Sequence, residues 1–180
     1  MSDLRVGFAV DVHPFETGTP AVSPRCLVLG GVAFEGETPL EGHSDADVLA
    51  HAVAEAMLGA AGIGDLGTHF PDTDQRWRGA DSLALLAACA SLVGAEGWSL
   101  CNADCSLVAE RPRVAPLRAE MMSRLSAAAG GPVHVKATRP EGLGSLGRSE
   151  GIACFAVALL ERRASRAADD RRAGLPAAGP

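Results

Sequence analysis

The chain has 180 residues, which is enough for one domain with a sizeable core and too few to expect two. Only 4% of the residues are aromatic and Tyr is absent, so Ala, Leu and Val are expected to fill the core, and a stacking platform for single-stranded nucleic acid is not expected. A formal charge of −6 argues against a broad basic surface for DNA or RNA. The negative charge does not exclude small anionic substrates, because a metal ion or a few arginines can reverse the local electrostatic field.

The N-terminus, the apolar segments and the cysteines bear on cellular location. The N-terminus lacks the basic and apolar layout of a signal peptide, and the uncharged segment 82–95 is shorter than the roughly 20 residues that span a bilayer. We therefore expect a soluble, cytoplasmic protein with no membrane partner. An odd number of cysteines without a Cys-x-x-Cys pair is typical of free thiols; these are Cys26, Cys89, Cys101, Cys105 and Cys154.

The first half of the chain predicts two strands and a helix. Strands are expected at 4–12 and 26–34, with a loop at 17–24 between them. Residues 45–61 carry apolar side chains at helical spacing, which predicts an amphipathic helix. The segment 63–79 is rich in Gly, Asp and Pro and is expected to be irregular.

The second half predicts two helices among three strands. Asp81 is a suitable N-cap for a helix that ends at Gly97. A further helix is expected at 112–129, with Pro116 tolerated in its first turn. The three strands are expected at 98–109, 133–138 and 151–161.

This order of elements predicts an α+β fold: a single domain with a sheet of about four strands and helices packed on one face. We expect the domain to span 1–162. The charged, Ala-, Gly- and Pro-rich segment 163–180 is expected to be a flexible C-terminal tail.

Three polar residues form a weak metal-binding pattern. Asp11 and His13 alternate at the end of a predicted strand, so their side chains share a face. His51 lies opposite the apolar stripe of its helix, with Asp47 and Glu55 one turn to either side, and such carboxylates can orient a metal-binding imidazole. The same pattern fits a solvated helix face, and spacing alone does not decide between these readings.

Short motifs occur in a fixed order along most of the chain. They are Asp11-Val12-His13, Leu29-Gly30-Gly31-Val32, His43-Ser44-Asp45-Ala46-Asp47, Leu49-Ala50-His51-Ala52, Leu58-Gly59-Ala60-Ala61, Gly64-Asp65-Leu66-Gly67, Phe70-Pro71-Asp72-Thr73-Asp74, Gly79-Ala80-Asp81-Ser82, Val135-Lys136-Ala137-Thr138 and Gly147-Arg148-Ser149-Glu150-Gly151-Ile152-Ala153. Each motif is short, but the ordered set is specific. Over residues 5–160 it resembles the family of 2-C-methyl-D-erythritol 2,4-cyclodiphosphate synthases of the non-mevalonate isoprenoid pathway.

The resemblance implies a homotrimer with active sites between neighbouring subunits and four catalytic, metal-binding residues. Asp11, His13 and His51 match the ligands of one zinc ion per active site. Glu141 matches the carboxylate that holds a second divalent cation, magnesium or manganese, on the substrate diphosphate.

The resemblance also implies a set of substrate-binding residues. Those that match the family's contacts to the phosphate and the sugar alcohol are His43, Ser44, Asp65, Leu66, Gly67, Phe70, Pro71, Asp72, Thr73 and Asp74. Those that fall where the family builds its cytidine pocket are Ala109, Arg113, Val114 and Ala115. Thr138 and Arg139 match contacts to the diphosphate, and Arg148 lies near a central cavity of the trimer that can hold an isoprenoid diphosphate.

The implied reaction closes a ring. The 2-phosphate of 4-diphosphocytidyl-2-C-methyl-D-erythritol 2-phosphate attacks the β-phosphorus and CMP leaves, so the enzyme would be a phosphorus–oxygen lyase. The nucleophile is already anionic and needs no base, in keeping with the lack of a Ser–His–Asp or Cys–His pattern. The barrier is the approach of two anions, which bound cations lower.

Several positions depart from the usual family sequence. The run Phe8-Ala9-Val10 stands where a His-Gly-type pair is usual before Asp11. Arg113 stands for a lysine, and Arg139-Pro140 replaces two threonines, which alters the expected phosphate contacts. Ser145 replaces an aromatic residue of the central cavity, so the binding of an isoprenoid diphosphate there is left open.

Several residues also have structural explanations, and two other functions are compatible with the pattern. Ser44 and Asp45 are possible helix caps, Asp72 and Asp74 are suited to turns, and Arg148 with Glu150 to an ion pair. The chain could instead be a metal-dependent phosphoester hydrolase, or an inactive trimer that binds a metal or an isoprenoid diphosphate as a scaffold.

Overall fold

The structure is a computed structural model that describes residues 3–17 and 25–163. Six strands and five helices are numbered in chain order. They are β1 (Leu4–Pro14), β2 (Leu27–Leu29), β3 (Val32–Phe34), α1 (Val48–Ala61), α2 (Leu66–His69), α3 (Ser82–Ala95), β4 (Trp98–Val108), α4 (Arg118–Ala129), β5 (Val133–Thr138), α5 (Gly144–Gly147) and β6 (Gly151–Arg162), with a 3₁₀ turn at Gln75–Trp77.

Four of the strands form one sheet in the order β1-β6-β4-β5. The pairs β1/β6 and β4/β6 are antiparallel, whereas β4/β5 is parallel. Helix α1 packs on β1 and β6, α4 packs on β5, and α3 contacts both of these helices as well as β4. The predicted α+β fold, with about four strands and helices against the sheet, is confirmed.

The side chains of β1 alternate between the two faces of the sheet. Val6, Phe8, Val10 and Val12 point away from the helices and are 45% to 67% exposed. The opposite face carries Gly7, followed at every second position by Ala9, Asp11 and His13. This register turns the two predicted metal ligands of β1 toward α1.

The core is built mainly from Ala, Leu and Val, as the composition predicts. Helix α1 is buried on nearly all sides, so its buried surface is wider than the single apolar stripe expected from its sequence. Its N-cap is Asp47, whose carboxylate accepts the backbone N–H groups of Leu49 and Ala50. The helix therefore begins later than the residues 45–61 predicted.

Other predicted elements differ from the structure. The strand expected at 26–34 is the hairpin β2–β3, because Gly30 (φ 58°) and Gly31 (φ 72°) form a left-handed turn between its halves. The helix expected from residue 112 begins only at Arg118, since Pro116 disfavours helical geometry at the residue before it. The segment 63–79 contains α2 and the 3₁₀ turn, and α5 was not predicted.

Some predictions fall outside the described residues. These are the loop from residue 18 to 24 and the tail from residue 164. Within the described ranges, none of the helices has the length and apolarity needed to cross a bilayer. All five cysteines are free thiols, as expected.

Candidate metal centre and substrate cleft

Asp11, His13 and His51 converge at one end of the contact between β1 and α1. Asp11 Oδ2 lies 3.3 Å from His13 Nε2 and 3.2 Å from His51 Nδ1. One ligand atom from each of the three side chains lies within 4.8 Å of the other two. Among the described residues, these three side chains form the one group of histidines, cysteines or acidic residues that is close enough to hold a metal ion.

The second nitrogen of each imidazole has its own hydrogen-bond partner. His13 Nδ1 lies 2.6 Å from the carbonyl oxygen of Glu41, which can only accept, so this nitrogen carries a proton. His51 Nε2 lies 2.9 Å from Ser82 Oγ and 3.1 Å from Ser44 Oγ. The nitrogens that remain, His13 Nε2 and His51 Nδ1, both face Asp11. One carboxylate and two oriented imidazoles fit a divalent metal that keeps an open coordination position.

The charges of the triad suit a cation. Burial alone would raise the pKa of Asp11, but hydrogen bonds from His13 and His51 outweigh it and lower the pKa to about 2. The same hydrogen bond to Asp11 raises the pKa of His13. A half-buried carboxylate thus stays ionised over the physiological range, while the imidazole beside it holds a proton that a metal ion can replace.

Asp47 does not orient His51, contrary to the sequence-based expectation. Its fully buried carboxylate accepts backbone N–H groups from Gly30 and Gly31 of the hairpin turn and from Leu49 and Ala50 of α1. Burial raises the pKa of Asp47 to about 6 despite these donors. Asp47 therefore joins the hairpin to the start of α1. The groups that hold His51 Nε2 are the hydroxyls of Ser82 and Ser44, and the sequence signalled Ser82 only through its place in a motif.

The triad opens into a cleft of about 510 Å³. Seven of the predicted substrate-binding residues line this cleft: His43, Ser44, Leu66, Gly67, Phe70, Pro71 and Asp72. Four lining residues were not predicted as contacts: Val10, Glu55, Trp77 and Leu85. Burial raises the pKa of Glu55, whose carboxylate accepts the backbone N–H of Leu66.

Three other predicted contacts lie outside the lining of this cleft. Asp65 caps α2 and accepts hydrogen bonds of 2.7 Å from the backbone N–H and the hydroxyl of Thr68. Asp74 caps the 3₁₀ turn and pairs with Arg76 at 2.6 Å, so it has the turn-forming role that the sequence left open. Thr73 is exposed beside it.

A second, smaller cleft of about 230 Å³ contains the other group of predicted contacts. Its predicted lining residues are Ala109, Arg113, Val114, Ala115, Thr138 and Arg139. Arg139 forms an ion pair of 2.6 Å with Glu110, which also lines the cleft. The two clefts share no lining residue in the part of the chain that the structure describes.

Glu141 and Arg148 lie apart from both linings. Glu141 is exposed in the turn after β5, with a left-handed φ of 53° that is uncommon for a residue with a side chain. Within the described residues it belongs neither to the Asp11 cluster nor to a cleft lining. Arg148 Nε lies 2.7 Å from Glu150 Oε1, which is the ion pair considered from the sequence.

Comparisons with known proteins all point to the same family. The model of the YgbB family matches residues 4–161. The chain is 53% identical over 164 residues to the bifunctional enzyme IspD/IspF of Anaeromyxobacter dehalogenans, covering 89% of this chain and 41% of that relative. It is 51% identical over 162 residues to the 2-C-methyl-D-erythritol 2,4-cyclodiphosphate synthase of Geobacillus thermodenitrificans, covering 88% and 98%.

Solved structures extend the likeness to three dimensions. The fold matches a 2C-methyl-D-erythritol-2,4-cyclodiphosphate synthase in its CDP-bound form with a TM-score of 0.75 and 34% identity, over 87% of this chain and 99% of that one. The chain thus spans about two fifths of the bifunctional relatives that it matches and nearly the whole of the synthase from Geobacillus thermodenitrificans.

Proposed function

Because the chain belongs to the YgbB family, we propose that it is a 2-C-methyl-D-erythritol 2,4-cyclodiphosphate synthase of isoprenoid biosynthesis. It would convert 4-diphosphocytidyl-2-C-methyl-D-erythritol 2-phosphate into the cyclic diphosphate and release CMP. The observation that carries this proposal is the convergence of Asp11, His13 and His51 at a cleft lined by residues that match the family's substrate contacts. The names of relatives at about half identity support the same reaction.

The proposed resident metal of the triad is zinc, one ion per site. Two imidazole nitrogens and one carboxylate oxygen are donors that zinc accepts, and zinc supplies Lewis-acid charge neutralisation to a phosphoryl oxygen when it is bound. The protein's own contribution is orientation. The Glu41 carbonyl holds His13 and the Ser82 hydroxyl holds His51, so the donor atoms face one point before any ion arrives.

The proposed site for the phosphorylated sugar alcohol is the cleft beside the triad. The walls of this cleft include His43 and Ser44 from the segment before α1, and Phe70, Pro71 and Asp72 from the segment after α2. The lining mixes apolar side chains, which suit the methyl group and carbon skeleton, with polar side chains, which suit the phosphates. The walls of the cleft would hold the 2-phosphate in line with the β-phosphorus that it attacks.

We further propose that the active site is completed by a second copy of the chain in a homotrimer. The predicted cytidine and diphosphate contacts line a separate cleft, so within one chain they do not meet the triad's cleft. The outward side of β1 and β6 exposes large apolar side chains, including Phe8 and Phe155, whose rings stack with centroids 6.5 Å apart. Such a patch is typical of a surface that another subunit covers. Sedimentation equilibrium should give about three times the mass of one chain.

The second divalent cation, magnesium or manganese, is proposed to bind at Glu141 together with the substrate diphosphate. Glu141 is exposed and follows Arg139 of the second cleft by two residues, which supports a role at a ligand held there. The left-handed φ of Glu141 is strained for a residue with a side chain, and such strain is common at functional sites, which also supports the proposal. A role of Arg148 toward an isoprenoid diphosphate and the cytoplasmic location both remain predictions.

The test is an incubation of the purified full chain with the cytidylyl substrate, zinc and magnesium in water enriched in oxygen-18. A cyclase yields CMP and a cyclic diphosphate without oxygen-18, because the attacking oxygen comes from the substrate's own phosphate. A phosphoester hydrolase, the rival function, would place one solvent oxygen in its product. A protein that binds zinc but forms neither product would be a scaffold, and the proposed function would be wrong.

A further inference from the structure

The second ring nitrogen of His51 faces a buried network of hydroxyl and carboxylate groups behind the metal triad. Ser82 Oγ lies 2.9 Å from His51 Nε2, and Ser44 Oγ lies 3.1 Å from the same nitrogen. Ser82 Oγ in turn hydrogen-bonds to Asp45 Oδ1. Ser82 is 1% exposed and Ser44 is 8% exposed, so bulk water does not replace these contacts.

The carboxylate at the end of this network sets its direction. Asp45 accepts from the hydroxyl of Ser82, from the backbone N–H of Ser82 at 3.0 Å and from the backbone N–H of Asp47 at 3.2 Å. An ionised carboxylate can only accept, so the single hydroxyl proton of Ser82 goes to Asp45. Ser82 Oγ is then left to accept a hydrogen bond from His51 Nε2. With a metal ion on Nδ1, the one remaining ring proton of His51 would sit on Nε2, where Ser82 Oγ accepts it; without a metal ion, Nδ1 can donate to Asp11 Oδ2.

We infer that Asp45 and Ser82 are positioning residues of the metal centre, which fix the ring orientation of His51 for metal binding through one relayed hydrogen bond. The inference rests on the proposed metal site, but it concerns residues that do not touch the metal or the substrate. The two ligand histidines are thus held differently. His13 is held by a backbone carbonyl, which substitution cannot remove, and His51 is held by side chains.

The relay also connects three segments of the fold. Asp45 lies in the loop before α1, Ser82 is the first residue of α3, and His51 is in the first turn of α1. The two bonds from Ser82 to Asp45 join the start of α3 to that loop. The start of α3 therefore contributes to the metal centre without supplying a ligand.

Two substitutions in the full-length chain test the relay. Ser82→Ala removes the hydroxyl that accepts from His51. Asp45→Asn keeps the shape but replaces one carboxylate oxygen by an N–H₂ group. In one orientation this group faces the backbone N–H of Ser82, and in the other it faces the hydroxyl of Ser82 and the backbone N–H of Asp47. Either orientation loses a hydrogen bond that holds Ser82 beside His51. Both variants should bind zinc about 10- to 100-fold more weakly in competition with a chromophoric chelator.

Matched controls lie on the same helix. Ser91→Ala removes an exposed hydroxyl that bonds only within α3, and Asp81→Asn alters an exposed cap. Both controls should bind zinc like the wild type. Thermal unfolding of the zinc-free proteins shows whether the test variants are folded. If Ser82→Ala does not fold, Ser82→Thr keeps the hydroxyl and should retain zinc affinity.

Zinc affinity decides between a positioning role and a merely structural one. Folded Ser82→Ala and Asp45→Asn variants that bind zinc within about twofold of wild type would overturn the relay. A wild type that binds no zinc would instead contradict the proposed function.

Discussion

Gly7 on β1 lies directly against the carbonyl oxygen of Ala56 on α1, so closely that a Cβ atom at position 7 would fall 1.9 Å from that oxygen. Only glycine permits this approach of backbone to backbone. β1 carries Asp11 and α1 carries His51, whose facing atoms are 3.2 Å apart although 40 residues separate them in sequence. The contact at Gly7 thus helps to set the spacing of the candidate metal centre.

Gly7→Ala should weaken both the fold and the metal site. The added methyl must push β1 and α1 apart, which is expected to lower the free energy of unfolding by about 3 kcal/mol and to weaken zinc binding. Urea unfolding and chelator competition measure the two effects. The control is Gly59→Ala on the exposed side of α1, where nothing lies within 4 Å of the new Cβ. That variant should be about 1 kcal/mol more stable, and equal effects at both sites would contradict the argument.

His13→Ala should remove one of the three ligands of the triad. We expect most of the bound zinc to be lost, and turnover to fall by about 1,000-fold, since a metal ion contributes several kcal/mol to such reactions. Elemental analysis and CMP release measure these outcomes. His134→Ala on β5 replaces an exposed histidine and should leave both unchanged. Normal zinc content in His13→Ala would refute the assignment.

Zinc should stabilise the protein more strongly as the pH rises. The contact with Asp11 raises the pKa of His13 above its ordinary value of 6.5. In zinc-free protein the contact between protonated His13 and Asp11 stabilises the fold fully below pH 6.5, and this stabilisation is lost as the pH rises through the raised pKa of His13. Asp11, with a pKa of about 2, stays ionised throughout.

Zinc competes with the proton on the imidazole, so its apparent affinity should rise by up to about tenfold per pH unit for each proton displaced, until the ring is neutral. The increase in melting temperature on adding zinc, measured from about pH 6 to about pH 8, reports this trend. His13→Ala gives the baseline, and the same increase in melting temperature at every pH in the wild type would exclude the competition.

Asp47→Ala should destabilise the fold without removing a metal ligand. Four backbone N–H groups, two from the hairpin turn and two from α1, would lose their buried acceptor. We expect the free energy of unfolding to fall by about 3 kcal/mol or more. Asp81→Ala, which removes an exposed cap of α3 with one acceptor bond, should cost about 1 kcal/mol. Similar losses in the two variants would show that the buried connection contributes little.

Glu141→Gln should separate the two proposed cations. The variant should bind zinc like the wild type, because Glu141 is not part of the triad. Its turnover should lose the response to added magnesium or manganese, since a neutral amide is a poorer ligand for these ions. Glu120→Gln, an exposed change on α4, is the control for loss of one negative charge. A wild-type magnesium response in Glu141→Gln would remove Glu141 from the proposed mechanism.

Local sequence patterns predicted the long elements well. β1, α1, α3, β4 and β6 all lie within a few residues of their predicted bounds, because their periodicity extends over many residues. The pattern was insufficient where short segments bend. Apolar periodicity predicts one continuous strand across the hairpin at Gly30 and Gly31, because a left-handed turn is signalled in the sequence only by the glycines themselves.

The sequence by itself determined the α+β class, the residue types of the candidate metal triad and the family to which the ordered motifs point. It did not determine which polar group holds which, because hydrogen-bond partners such as Ser82 and His51 are 31 residues apart and share no periodic relation. The role given to Asp47 was wrong for the same reason: one helical turn from His51 in sequence, its carboxylate turns instead to the hairpin. Only the packing of α1 on β1 and of α3 beside α1 decided those contacts, since burial makes each polar group accept whichever partner the tertiary fold brings within reach.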